Sequence, residues 1–395
     1  MRNKVLAATA VATALAALLA APSAQATPVT AVAAPFPLPQ GVAGGVAAFV
    51  SDNGRTVAGH LRTEPGESVL WRGGRLIRLG ADANVRAMNG AGWSTGNVAD
   101  RAVLFSPTGA ATPIAAPEPV VSSQGLAVNR RREVLLGWAA VGQPGKFAVA
   151  KRNGSLVRLT PPPGPVPGSV SISPEFLNDR GEVAGTANVF TGTETVQFPF
   201  SCRADGICAE LPEPTGLPEG DGEFRLTVEG MNNSGEVVGS GSVLVAGGSF
   251  GALGVRWTNG VPTVLRAPEG DLQAFISTGP KTINDRGDVV GTSRTGQGAA
   301  RATLWRRGAP ASLLTTPEGV GTSAYLVADN GDVLGTSGYN ALTLWTRGTA
   351  IPLPPVEGLP NAVPGDLSEN RVVVGHSWGF TPSGYTTEPT RWQVG

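Results

Sequence analysis

The stretch Ile283-Asn284-Asp285-Arg286-Gly287-Asp288-Val289-Val290-Gly291 decides the fold. It is an apolar residue, a four-residue turn cassette, and a β-branched run closed by glycine. Asx side chains bond the backbone two residues on, glycine takes positive φ without a Cβ clash, and Val-Val suits a pleated surface. The stretch therefore reads as a tight hairpin between two strands. The closing glycine recurs as Gly59, Gly96, Gly137, Gly185, Gly239, Gly291, Gly335 and Gly375. That is eight copies at a mean spacing of about 45 residues, the size of a propeller blade. Copies three and eight lack the turn glycine, and Trp93-Ser94-Thr95 loosens copy two, so these read as degenerate units.

Each closing glycine is followed by a second module: a short run ending in an aromatic, a small turn, and a run ending in leucine. Leu304-Trp305-Arg306-Arg307-Gly308 before Ser312-Leu313-Leu314 is the clearest copy, and Trp71, Trp257, Trp345 and Trp392 hold the same place. Weaker copies use Phe105, Ala150 and Phe200. Each repeat is thus four short strands, a to d, which must stack on its neighbours to bury both faces. The repeated tryptophans read as a packing layer between blades.

The pairing of Ile-Asn-Asp-x-Gly-x-Val-Val-Gly with Leu-Trp-x-x-Gly resembles the HAF repeat family of extracellular bacterial proteins. The resemblance covers nearly all of the mature chain and implies a β-propeller-like fold, but no activity and no functional residue set. The expectation is an all-β, eight-bladed propeller of antiparallel strands, one domain over residues 27–395. The eighth copy stops before its strand d, and Pro35-Phe36-Pro37-Leu38-Pro39 resembles the d strand Ile351-Pro352-Leu353-Pro354. The N-terminal strand is therefore expected to complete the last blade and close the ring.

The chain opens with Met1-Arg2-Asn3-Lys4, an uncharged Ala/Leu/Val run, and Ala24-Gln25-Ala26, the three parts of an export signal over residues 1–26. A secreted, extracellular protein with no membrane association after cleavage is the consequence. Removing Arg2 and Lys4 from 30 basic and 30 acidic residues leaves a slight negative excess, which argues against a nucleic-acid partner. The 55 glycines and 33 prolines are interleaved with evenly spaced Val, Leu and Trp, the mixture that many short strands and turns produce. In an exported chain, Cys202 and Cys208 around Ala204-Asp205-Gly206 read as a disulfide tying one hairpin.

Catalytic motifs are thin: no nucleophile elbow, zinc signature or phosphate loop is recognisable. No metal or cofactor is expected, since a cassette such as Asn284-Asp285-Arg286-Gly287 offers calcium too few oxygens and needs no ion to turn. The acidic stretch 212–224 reads as a solvated loop. In a ring that starts on strand d, the a–b and c–d turns share one face, and the variable b–c and d–a connections share the other. Binding residues are expected on that loop face, in stretches 160–174, 212–224, 241–254 and 377–389.

Both histidines, His60 and His376, follow a closing glycine, in blades one and eight, which neighbour each other in a closed ring. They are expected side by side, with Trp378, Phe380 and Tyr385 nearby, as a polar and aromatic ligand subsite. Trp138 holds the same alignment position in copy three. The function expected is a monomeric, non-enzymatic binding module for a glycan, peptide or cell-surface protein. An extracellular propeller hydrolase or lyase is the alternative.

Overall fold

Each repeat folds into one sheet. The structure, a computed structural model, describes residues 29–140, 145–215, 225–245, 249–338, 341–382 and 384–395, with no side-chain description for 243–251. The proposed export signal and most of the acidic stretch 212–224 lie outside the described residues. Among the described residues the regular structure is strand alone, arranged as eight four-stranded antiparallel sheets. Blade one is a (Gly45–Val50), b (Thr56–Leu61), c (Glu67–Arg72) and d (Arg75–Arg78), and the next six follow in chain order. The molecule is an eight-bladed β-propeller.

Blade eight takes a (Asn361–Leu367), b (Val372–Thr381) and c (Gly384–Val394) from the C-terminus and its outer strand, Ala31–Pro35, from the N-terminus. Ala31 pairs with Val394 and Pro35 with Thr390. The closing strand thus ends where the sequence pattern had it begin. Prolines 35, 37 and 39 carry no N–H, so a ladder cannot run through them. The last bond is from Phe36 N–H to Pro389 O, 2.7 Å, as Leu353 N–H bonds Leu342 O at 2.8 Å in blade seven. Pro35-Phe36-Pro37 therefore matches Pro352-Leu353-Pro354. Phe36 then leaves the sheet to stack on Trp71 of blade one, ring centres 5.0 Å apart.

Successive residues of strand b face opposite neighbours. Val57 packs toward blade eight against Val372 and Val374, whereas Ala58 packs toward blade two against Ala83 and Val85. The closing glycine sits where a Cβ would strike the partner strand: at Gly291 it would lie 2.0 Å from Phe275 O. In blade three the glycine has changed sides. Gly125 of strand a pairs with Leu136 at the bulge where Ala47 pairs with Gly59, so Leu136, not Gly137, is the counterpart. The turn glycine also has stand-ins: Arg132 (φ 62°) and Arg371 (φ 63°) adopt the left-handed conformation that Gly287 (φ 80°) supplies elsewhere.

The tryptophan layer is a packing layer with a polar anchor. Trp71, Trp257, Trp305 and Trp345 donate their indole N–H to Pro37, Pro212, Arg266 and Thr315 carbonyls just past strand d of the preceding blade, at 2.7–3.0 Å. Trp392 does the same to Pro354 O. Each is nearly fully buried. Phe105 and Ala150 fill this place in blades two and three, but in blade four it is Cys202, not Phe200, that pairs with the first valine of strand b. Cys202 is disulfide-bonded to Cys208 directly across the c–d ladder, so a covalent tie stands where five blades use an indole.

Candidate functional site

The a–b turns surround a central cavity of about 340 Å³, walled by Phe49, Met88, Leu126, Phe176, Met231 and Leu326. The cassettes do more than turn the chain. Asn89, Asn129, Asn178, Asn232 and Asn284 each donate from Nδ2 to the carbonyl of the equivalent residue one blade on, at 2.6–3.3 Å, ending at Ala328 O. The following side chains form a second relay. The backbone N–H groups of Arg130, Asp179, Asn233, Asp285 and Asp329 donate to Asp179, Asn233, Asp285, Asp329 and Glu369, at 2.7–3.0 Å. The acidic groups at the channel mouth are thus occupied in joining blades.

Among the described residues, two bridges cross the channel between blades that are not neighbours. Arg130 Nη2 of blade three meets Asp52 Oδ2 of blade one at 2.6 Å. Lys281 Nζ of blade six meets Asp366 Oδ1 of blade eight at 2.8 Å and also bonds Leu367 O. Lys281 reaches inward because residues 277–281 stand where Glu229 alone forms the bulge of blade five: Ile276 pairs with Gly291 as Val228 does with Gly239. Gly279 N–H caps Glu229 O at 3.0 Å.

On the opposite face, the stretches 377–389 and 241–254 are strand continuations rather than loops. Strands b and c of blade eight run on to Thr381 and from Gly384, and strands b and c of blade five reach Val245 and resume at Ser249. The blade-eight extension carries the aromatic residues. His376, Trp378 and Phe380 alternate along one face of strand b, and Tyr385 stands opposite Phe380 on strand c. Tyr385 lies 5.9 Å from Trp378 and 5.6 Å from Phe380, centre to centre. The Arg62 guanidinium of blade one covers Tyr385 at 4.9 Å. Phe380 is 80% exposed and Tyr385 45%. The sequence grouping of Trp378, Phe380 and Tyr385 is therefore one surface, with Arg62 as an additional member.

No protein-family model matches this sequence, and no curated protein matches it. Solved structures resemble it in shape at low identity. Virginiamycin B lyase from Staphylococcus aureus aligns over 93% of this chain and 99% of its own, with 10% identity and a TM-score of 0.37. YCF48 from Cyanidioschyzon merolae aligns over 91% and 98%, with 12% identity and a TM-score of 0.43. The acylaminoacyl peptidase of Pyrococcus horikoshii aligns over 82% of this chain and 56% of its own, with 11% identity and a TM-score of 0.47.

The two histidines are not brought together. His60 shares its face of strand b with Ala58 and lines a cavity of about 430 Å³ with Asp82, Asn84 and Asp100 of blade two. His376 shares its face with Val374, which packs on blade one from the other side. The sheet of blade one stands between them, because both occupy the same repeat position and so face the same way round the ring. His60 Nδ1 lies 2.9 Å from Ser68 Oγ, which itself accepts the Val85 N–H at 3.0 Å. Burial pushes the pKa of His60 and of His376 down. Trp138 belongs to neither group. With Leu136 in the glycine's place it falls one residue past the histidine position, buried toward blade two, donating to Glu118 at 3.0 Å beside Lys146. No helix among the described residues is long and apolar enough to cross a membrane.

Proposed function

We propose that the chain is an extracellular, non-enzymatic binding module that holds a carbohydrate against the aromatic face of the blade-eight hairpin. One observation carries this reading. Phe380 and Tyr385 are exposed, in ring contact, on a strand extension that only lengthens the edge of the blade, and folding gains nothing from leaving them in water. Planar rings present apolar faces to sugar C–H groups, while Arg62 and His376 supply donors for hydroxyls along one side. Phe380 and Tyr385 sit on paired strands, so less backbone entropy is lost when a ligand docks than for the same rings on an unpaired loop.

Ser68 does not favour a hydrolase. Its hydroxyl is fully buried and already accepts a backbone N–H, so the His60–Ser68 pair is a strand-to-strand link with no access for a substrate carbonyl. The test is a glycan array with the mature protein, followed by calorimetry on any hit. The combined change Phe380→Ala and Tyr385→Ala should weaken binding at least about 30-fold, since each stacking ring contributes on the order of 1 kcal/mol or more, without moving the melting temperature. A hit whose affinity the double variant keeps would place recognition elsewhere.

A further inference from the structure

Arg256 and Arg391 stand immediately before the recurrent tryptophan, where blades one, two, six and seven carry Leu70, Leu104, Leu304 and Leu344. That position faces the next blade: Leu304 packs on Ala324 and Val327 of blade seven. An arginine there has to bring a charge into the seam. Arg256 is only 7% exposed, donates from Nη2 to Gly287 O of blade six at 2.6 Å, and has a buried Nε with no partner.

The seam beside Arg256 opens into a cavity of about 520 Å³ lined by Arg256, Arg266, Arg306, Arg307, Glu236 and Trp305. The one carboxylate is committed. Glu236 is bonded to Arg307 at 2.5 Å, to Asn232 at 2.9 Å and to Thr258 at 3.1 Å. Arg256, Arg266 and Arg306 enter no ion pair among the described residues, so the cavity carries an excess of positive charge. Burial pushes the Arg256 pKa down, with Glu236 opposing and Arg307 adding to the effect.

The seam between blades eight and one repeats the arrangement. Arg391, Arg55 and Arg72 line a cavity of about 740 Å³ with Asn53 and Asn370, and no carboxylate among the described residues lines it. The buried Arg391 Nε likewise has no partner, while Nη2 holds Gln393 at 2.9 Å.

We propose that these two arginine-floored seams are oxyanion sites, each taking a phosphate or sulfate group, free or carried on a larger ligand. A guanidinium fork matches the paired oxygens of a tetrahedral anion, and the orphaned buried Nε groups of Arg256 and of the half-buried Arg391 are donors that such a ligand would satisfy. Both cavities open beside the c–d turns, on the opposite face of the propeller from the aromatic hairpin, so this proposal stands apart from the carbohydrate reading.

The test is calorimetric titration of inorganic phosphate and, separately, sulfate into the mature protein at low ionic strength, with acetate as control. Two saturable sites are expected for at least one of the tetrahedral anions. Arg256→Leu should remove one, Arg391→Leu the other, and the double variant both. Leucine is the residue four blades already use, so the variants should melt at or above the parent in anion-free buffer. Added phosphate or sulfate should raise the melting temperature of the parent, less that of each single variant, and not that of the double variant. Arg256→Lys, which keeps the charge but loses the fork, should weaken its site about tenfold. One site or none in the parent, acetate binding as tightly as phosphate and sulfate, or two sites surviving in the double leucine variant, would overturn the proposal.

Discussion

The seams from blade two to blade seven and the seams around blade eight solve one problem with different chemistry. In the first group an asparagine at a fixed place passes a hydrogen bond to the next blade, five times running. In blades seven, eight and one that place is held by Ala328, Ser368 and Ser51, and the joint is made by later residues of the cassette. Glu369 receives Asp329 and Asn330 N–H groups, both at 3.0 Å, and Asn370 Nδ2 donates to Asn53 O at 2.9 Å. The Asp329–Glu369 bond continues the second relay, so what sets blade eight apart is the missing asparagine bond and the Asn370–Asn53 contact that joins it to blade one. A repeat can reuse one contact wherever consecutive units meet in order, but the joint between last and first has to be built separately.

The sharpest way to break this comparison is to remove the N-terminal strand. Deleting residues 27–40 strips the ladder from the outer edge of blade eight, removes the Phe36–Trp71 stack, and leaves the buried Trp71 indole without its acceptor. The loss should be on the order of 5 kcal/mol or more, from apolar exposure and unpaired groups together. A thermal melt by circular dichroism checks it, and a midpoint equal to the parent's would mean that the strand does not close the ring.

Next in size comes the relay itself. Asn232→Ala orphans the Glu236 and Ser234 N–H groups and removes the bond to the Asn284 carbonyl of the next blade, and should cost about 3 kcal/mol. Ser368→Ala in blade eight, which gives up the bond from Val372 N–H, should cost about 1 kcal/mol. Equal losses in urea unfolding would erase the distinction between the two kinds of seam. Cys202→Ala with Cys208→Ala should fall between these, at about 2 kcal/mol, because so short a loop constrains the unfolded chain little.

The smallest effect concerns pH. His60 and His376 stand at the seams on either side of blade one, and burial lowers both pKa values below the ordinary 6.5. The unfolded chain then binds protons that the folded chain refuses, so stability falls as pH drops through that range. Glu133 and Glu236 act in a separate, more acidic window. Burial works to raise them, but Asn129 with Lys151, and Asn232 with Arg256 and Arg307, hold them below 4.5. Changing both histidines to threonine, the commonest residue at that repeat position, should flatten the slope between about pH 7 and 5.5 while leaving the slope below pH 4.5 intact. An unchanged upper slope in denaturant titrations would assign it to other groups.

Blade number, strand order and ring closure were legible because a period-two apolar pattern and a glycine-bearing turn repeat together, and both report local backbone physics. Errors arose where a residue kept the geometry without keeping its identity. Arg132 and Arg371 adopt a glycine's φ, Leu136 takes a glycine's place because its partner is Gly125, and Cys202 takes a tryptophan's. Of the candidate site, the aromatic cluster was legible because its members share one strand and its hairpin partner. The separation of the histidines was not, since adjacency of blades says nothing about which face of a sheet a side chain takes. The asparagine relay was visible as a repeat and read as turn chemistry, because its partners are a whole blade away. Arg256 and Arg391 could have been found by aligning the residue before each tryptophan and asking why leucine had been replaced.

The bridges from Arg130 to Asp52 and from Lys281 to Asp366 connect blades one and three, and six and eight, passing over the blade between. An open stack of repeats has only nearest-neighbour coupling and can fray unit by unit from its ends. Here the unit that would fray first, blade eight, is stitched to the N-terminus on its outer edge and to blade six through the hub. Detaching it breaks contacts in parts of the ring that are otherwise intact, so partial opening recovers little chain entropy for what it loses. The expected behaviour is a single cooperative transition, with the slowest-exchanging amides spread over every blade's inner strands instead of concentrated in a few.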